Sequence, residues 1–406
     1  MTITTHFHSN QKFKSIILSA RFYIPFKRVD NTKLALLSEL MDDRNINYPT
    51  KTSMLSKLDN LYGANLRIRV SGVGKFHQLE ARLVSVSDQF IEEKIQDELI
   101  EYLSDILYSP LITQQTFQEA KDNLRDKLNR ELERPNVYAM NRALEIAGKD
   151  STLSITSNGS LDDIEAIDLE QMVQFHEYVM NEAQAALFVV GNFDQERAEE
   201  SIGNYFKGHQ PLGSESFAYL LSPAKYERVS EELPIHQASL IKLYSTQINV
   251  YSELYHAYRI GTIILGQLPT SFLFQEVREK HSLAYSVGAS TIGFDGVLYM
   301  NTQLMDENIE LANQLMDEQL KKIKEGLIPN ELLEGAKLMI ANLLLSIHDD
   351  EYALLNFVSQ SFITSSELSV EETIEKYQQV TIESIMQAFS HVKEILTYEL
   401  RGIAHD

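Results

Sequence analysis

The sequence predicts an α+β fold built from two homologous domains, each an α/β sandwich in which an antiparallel sheet carries packed helices. Three observations predict it. The chain has 406 residues, too many for one ordinary hydrophobic core, with 44% hydrophobic and 23% charged residues as in a globular protein. A block of one design occurs twice: LDNLYGANLRIRVSGVGKFHQLEARL from Leu58 and EVREKHSLAYSVGASTIGFDGVLYMNTQL from Glu276. Both run helix end, polar turn, strand, Gly–aromatic turn, strand, and Phe76 aligns with Phe294 about 218 positions on. Near the end of each half, IEAIDLEQMVQF from Ile164 echoes VTIESIMQAF from Val380, and each leads to a last strand. A repeat of about 210 residues is far too long for a solenoid and reads as a duplicated domain.

The elements follow in order. Residues 14–26 (KSIILSARFYIPF) read as an opening strand rich in Ile, Leu and aromatics. Leu34, Leu36, Leu37, Leu40 and Met41 recur at helical spacing. A second helix spans 52–62 with Gly63 as its stop. Residues 66–73 and 78–86 read as strands turning near Gly74-Lys75. Helices are expected at 90–107 and 115–133, the second closed by Pro135. AALFVVG at 185–191 reads as a buried strand, and Asp194 opens a helix to Phe206. Residues 207–225 carry Gly, Ser and Pro without periodicity and read as a linker. The expected division is therefore a first domain at 1–207, a linker at 208–225 and a second domain at 226–406. In the second, strands are expected at 238–244, 284–291 and 296–304. Helices are expected at 251–265, from Phe272 to Arg278, at 306–325 and at 329–347.

Composition excludes several classes. The formal charge of −22 argues against nucleic acid and anionic membranes, which are bound by clustered Lys and Arg. It suits a basic substrate or partner reached by steering, although an ordinary solvated acidic surface explains it as well. The absence of cysteine excludes disulfides, thiolate zinc sites and cysteine nucleophiles. The polar first ten residues lack the apolar core of a signal peptide, and no run reads as a membrane span, so a cytoplasmic location is expected. There is no Gly-x-Ser-x-Gly and no phosphate-cradling Gly-rich loop. His6 and His8 form the one close histidine pair, in what reads as a polar tail. His77, His176, His281 and His348 are isolated and read as surface or core residues.

Two blocks carry a resemblance. SFLFQEVREKHSLAYSVGAS at 271–290 resembles the helix ending in Arg-Glu-Lys, then Leu-Ala-Tyr-Ser-Val opening a strand, of the pitrilysin/insulinase family of inverted-zincin peptidases. LFVVGNFDQERAEESIGNYF at 187–206 resembles the strand–Gly–Asp–helix that ends that family's first domain. The resemblance spans nearly the whole chain and is closest to the short, half-length bacterial type. It implies two domains arranged as a clam-shell around a chamber.

It also exposes what is missing. Active members hold zinc with His-x-x-Glu-His on the first domain's early helix. Two histidines at i and i+4 share one helical face, and the glutamate between them serves the metal-bound water. The downstream YPTKTSMLSKLDNLYGANL fixes the frame here. The first ligand position is then Ala35, the base position Ser38 and the second ligand position Glu39, and residues 31–44 hold no histidine. Glu119, Asp122 and Asp126 lie near the place of the third ligand and read as a charged helix face. The family's substrate-contacting Arg and Tyr of the second domain match Arg278 and Tyr285. Arg278 pairing with Glu276 or Glu279, and Tyr285 packing at a strand start, is the plainer alternative.

The resemblance implies a non-catalytic subunit of a heteromeric zinc metallopeptidase in peptide processing. No metal and no cofactor are expected in this chain, and zinc only in a zinc-bearing pitrilysin-family partner, the two forming a heterodimer that takes a peptide. Two alternatives stand beside it. One is a peptide-binding or scaffold protein, as a homodimer or alone, without proteolytic role. The other is a peptidase with a different metal site.

Overall fold

A computed structural model describes residues 3–149, 151–213 and 215–403. The first half runs β1 (Thr4–Ser9), β2 (Ser15–Pro25), α1 (Arg28–Asp43), α2 (Lys51–Asn60), β3 (Asn65–Val73), β4 (Phe76–Val86), α3 (Gln96–Tyr108), α4 (Gln114–Leu132), α5 (Pro135–Ala147), α6 (Leu161–Ala166), α7 (Leu169–Glu182), β5 (Gln184–Gly191) and α8 (Gln195–Tyr205). The second runs β6 (Glu227–Leu233), β7 (Ala238–Ser245), α9 (Tyr255–Gly266), a π-helix (Phe274–Lys280), β8 (Ala284–Ile292), β9 (Val297–Leu304), α10 (Ile309–Lys324), α11 (Asn330–Leu345), α12 (Glu351–Thr364), α13 (Val370–Gln378), α14 (Ile382–Ser390) and β10 (Lys393–Gly402).

The duplication is visible in the topology. One five-stranded sheet has the order β1-β5-β2-β4-β3, the other β6-β10-β7-β9-β8, the same path in each half. Each is mixed rather than purely antiparallel, because β1 pairs parallel with β5 and β6 parallel with β10. The echo read from the sequence corresponds to α7 with β5 and α14 with β10. Both helices open on capping boxes, Asp168 with Gln171 and Thr381 with Ser384, which satisfy the free amides of the first turn.

Other elements differ from expectation. β1 is an outer strand and not a polar tail: His6 stacks on Phe188 at 5.3 Å. β6 (ERVSEEL) is charged and half exposed, so its sequence hides it. Pro135 ends one helix and also begins α5, where its missing N–H costs nothing. The helix expected from residue 90 starts only at Gln96, because the Asp88 carboxylate accepts from the Ile95 and Gln96 amides and holds a turn before it.

Two compact units result, and neither follows the contiguous division. The first holds the chain up to residue 129, then 155–216 and 347–365. The second holds 130–154, 217–346 and the chain from 366 onward. In the first, β2 is buried on both faces. α12 supplies Leu355 and Val358 against Ile17, Phe188 and Val190 on one side. Leu34, Leu37 and Leu40 of α1 lie in the core that holds Leu18, Ala20 and Phe22 on the other. In the second, α5 sets Ala139 and Ala143 in the cluster that holds Ile241, Leu243 and Tyr398.

A buried ion pair ties α12 to its sheet. Arg21 Nη2 lies 3.0 Å from Glu80 Oε1, and Arg21 Nη1 donates to Ser359 Oγ at 2.6 Å. Ser19 Oγ donates to the same carboxylate at 2.8 Å. Removing one partner leaves a buried charge. Arg21→Met is expected to cost about 3–5 kcal/mol, and adding Glu80→Leu to restore most of it, as read by urea denaturation.

Two histidines predict acid sensitivity. His77 is buried on β4 with Nε2 3.2 Å from the Lys27 carbonyl. His209 is buried with Nε2 2.9 Å from Tyr108 Oη. Burial pulls each down to about 4. The folded chain thus protonates them at lower pH than the unfolded chain. Their contribution is full above about pH 6.5 and is lost as pH falls toward 4. The urea midpoint should drop between pH 7 and 4.5, and His77→Gln should flatten part of that drop.

Candidate functional site

At the place where the resemblance puts a metal, α1 is committed to the core. Ala35 is 2% exposed and its neighbours Leu34, Leu36 and Leu37 are fully buried. Ser38 Oγ donates to the Ala35 carbonyl at 2.7 Å, a bond within the helix. The Glu39 carboxylate accepts from Lys127 Nζ of α4. Downstream, Glu119 accepts from Arg44, and Asp122 from Arg125 at 2.7 Å. These residues do not fit zinc: they offer no imidazole, and the one carboxylate of the motif is already matched by an ammonium. Among the described residues no group of three or more His, Cys, Asp or Glu is placed to hold a metal ion. Lys127 went unnoticed in the sequence. Its partner is 88 positions away, and only the fold brings them together.

The Arg278–Tyr285 block is built differently. Leu273 and Val277 are fully buried and anchor the π-helix that follows α9. Widened turns of this kind recur at functional sites because they displace side chains from the regular helical face. Arg278 is turned outward, its Cζ 4.5 Å from the Phe274 ring centroid and 5.5 Å from that of Tyr285. Two rings thus hold the guanidinium by cation–π attraction. Glu276 does not compete, because it pairs with Lys280 at 2.7 Å. Arg278 does pair with Glu279, Nε to Oε1 at 3.6 Å, as the plainer alternative expected.

The chain then reverses. Ser282 takes φ +51°, its amide donates to the Arg278 carbonyl at 3.0 Å, and Leu283 N donates to the Val277 carbonyl at 3.0 Å. β8 enters the sheet as an edge strand with a register shift between Ala284 and Ser286. The shift leaves Tyr285 without a partner on β9, as a bulge does, and its ring is 84% exposed. Packing at the strand start is therefore not its role. Phe274 was missed in the sequence, although an aromatic four residues before an arginine on a helix was the available signal.

Similar proteins include peptidase homologues described as inactive. Residues 166–340 match the model described as the peptidase M16 inactive domain. The chain is 25% identical over 408 residues to the probable inactive metalloprotease YmfF of Bacillus subtilis, covering 98% of this chain and 96% of that one. A conserved protein of Enterococcus faecalis superposes with a TM-score of 0.91 at 25% identity, covering 100% of this chain and 98% of the other. A structure of a peptidase M16 inactive domain from Pseudomonas fluorescens has the same fold, with a TM-score of 0.81 at 18% identity over 100% and 99% of the two chains. The chain thus resembles peptidase M16 proteins of the inactive type, as its sequence implied, with the family model matching residues 166–340.

Restoring the motif by name alone should fail. The triple variant Ala35→His, Ser38→Glu, Glu39→His forces an imidazole into a packed site and strands Lys127. A stability loss of about 1–3 kcal/mol is expected, with no zinc retained after dialysis. One zinc per chain by elemental analysis would contradict this reading of the site.

Proposed function

We propose that this chain is the non-catalytic subunit of a heteromeric zinc metallopeptidase, pairing with a zinc-bearing pitrilysin-family subunit and contributing peptide binding. The observation that carries the reading is the contrast between the two sites. The zinc positions are spent on core packing and an ion pair, while Tyr285 stands exposed on a bulge and the half-buried Arg278 is held against two rings on a π-helix. A guanidinium fork donates to a peptide carbonyl, and a phenol donates to the oxyanion formed when that carbonyl is attacked. The partner supplies the metal. The charge of −22 favours a basic peptide through steering.

The test mixes this chain with a zinc-bearing M16 chain from the same cell and follows cleavage of a fluorogenic peptide. The mixture should exceed the partner alone by tenfold or more in kcat/KM. In the mixture, Tyr285→Phe should lose about 10-fold and Arg278→Ala about 100-fold. Equal cleavage by the partner alone would overturn the proposal. A stable complex that leaves cleavage unchanged would favour a scaffold instead.

A further inference from the structure

The second unit carries an apolar helix face that nothing covers. α11 (NELLEGAKLMIANLLL) is apolar on both sides. One side packs as expected, with Leu333, Ala336 and Ile340 in the core. The C-terminal half of the helix presents Leu338 at 60% exposure, Leu343 at 60%, Leu345 at 48% and Met339 at 38%, with the exposed Asn342 among them. A helix apolar all round is normally buried all round, and clustered exposed leucines mark an interaction surface.

The charge around this face selects the occupant. α11 carries Glu331 and Glu334, both exposed. Lys337, its one cation, is buried, with Nζ 3.2 Å from Glu334 Oε1. α13, which packs against α11, adds exposed Glu371, Glu372 and Glu375 against one exposed lysine, Lys376. The exposed charges of α11 and of the helix packed against it are therefore mostly acidic, in a chain whose formal charge is −22.

We propose that the exposed face of α11 is a docking surface for a partner protein that presents a basic amphipathic helix. The partner's apolar stripe would cover Leu338, Met339, Leu343 and Leu345. Its Lys and Arg would meet Glu331 and Glu334 and the glutamates of α13. Helix-in-groove recognition uses this division of apolar anchors and flanking charge. A methionine in the face suits it to more than one apolar surface. The proposal does not depend on the role of the Arg278–Tyr285 block.

The probe is a fluorescein-labelled synthetic helix with leucine along one face and lysine elsewhere, compared with a twin carrying glutamate for lysine. Binding to the full chain is read by anisotropy. The lysine helix should bind at least about 10-fold tighter than its twin and weaken with added salt. The variant Leu338→Gln, Leu343→Gln should lose about 10-fold in affinity, with thermal unfolding unchanged because both side chains are exposed. Glu331→Gln, Glu334→Gln should weaken binding and flatten its salt dependence. Equal binding of the two helices overturns the proposal, as does a Leu338→Gln, Leu343→Gln variant that binds like the original. Sedimentation that shows a dimer of this chain dissociated by the leucine variant would overturn it too, by assigning the face to a second copy.

Discussion

Strand β2 buries nine consecutive residues, so neither face of its sheet can meet water. The matching strand β7 buries all eight of its own. Each sheet therefore needs two covering layers, and the contiguous half of the sequence supplies only part of them. The first sheet gains α12 from the second half, and the second sheet gains α5 from the first. Arg21 shows how specific this cover is. Its charge is matched by Glu80 in the sheet, and it also donates to Ser19 beside it and to Ser359 on the incoming helix. A buried guanidinium must be satisfied on every side, which fixes α12 more tightly than apolar contact alone.

The same scaffold explains why the positions of the zinc motif are packed or paired while the Arg278–Tyr285 block stands out from its unit. Position 35 lies on the face of α1 that packs inward, where an alanine fits without strain. Position 39 lies at the rim, where Lys127 reaches it. A carboxylate with an ammonium beside it needs no metal, and the arrangement is satisfied as it stands. At the other site, irregular backbone does the positioning. A π-helix, a left-handed residue at Ser282 and a bulge at Tyr285 follow one another within a dozen residues. Each departs from regular geometry, and together they lift Arg278 and Tyr285 away from the core.

What was legible in the sequence depended on range. Buried strands such as β2 and β7 announce themselves by apolar runs, and the repeated block with its Gly74 and Gly296 turns exposed the duplication. The missing histidines were equally plain. Elements that owe their place to distant partners were not. β1 and β6 are polar strands that exist because β5 and β10 offer them an edge. The swap of α5 and α12 leaves no local mark, since an amphipathic helix does not say which sheet it covers. Arg278 and Tyr285 were readable as a pair by resemblance. The ring of Phe274 beneath the guanidinium and the pairing of Glu276 with Lys280 required the fold.

The proposed function requires this chain to hold a peptide without holding a metal. The direct measurement is peptide binding to the isolated chain by calorimetry, with and without a chelator, for the natural sequence and for Arg278→Ala. The account predicts binding that the chelator leaves unchanged and that Arg278→Ala weakens about 10-fold or more. Binding abolished by the chelator, or binding indifferent to Arg278, would contradict it.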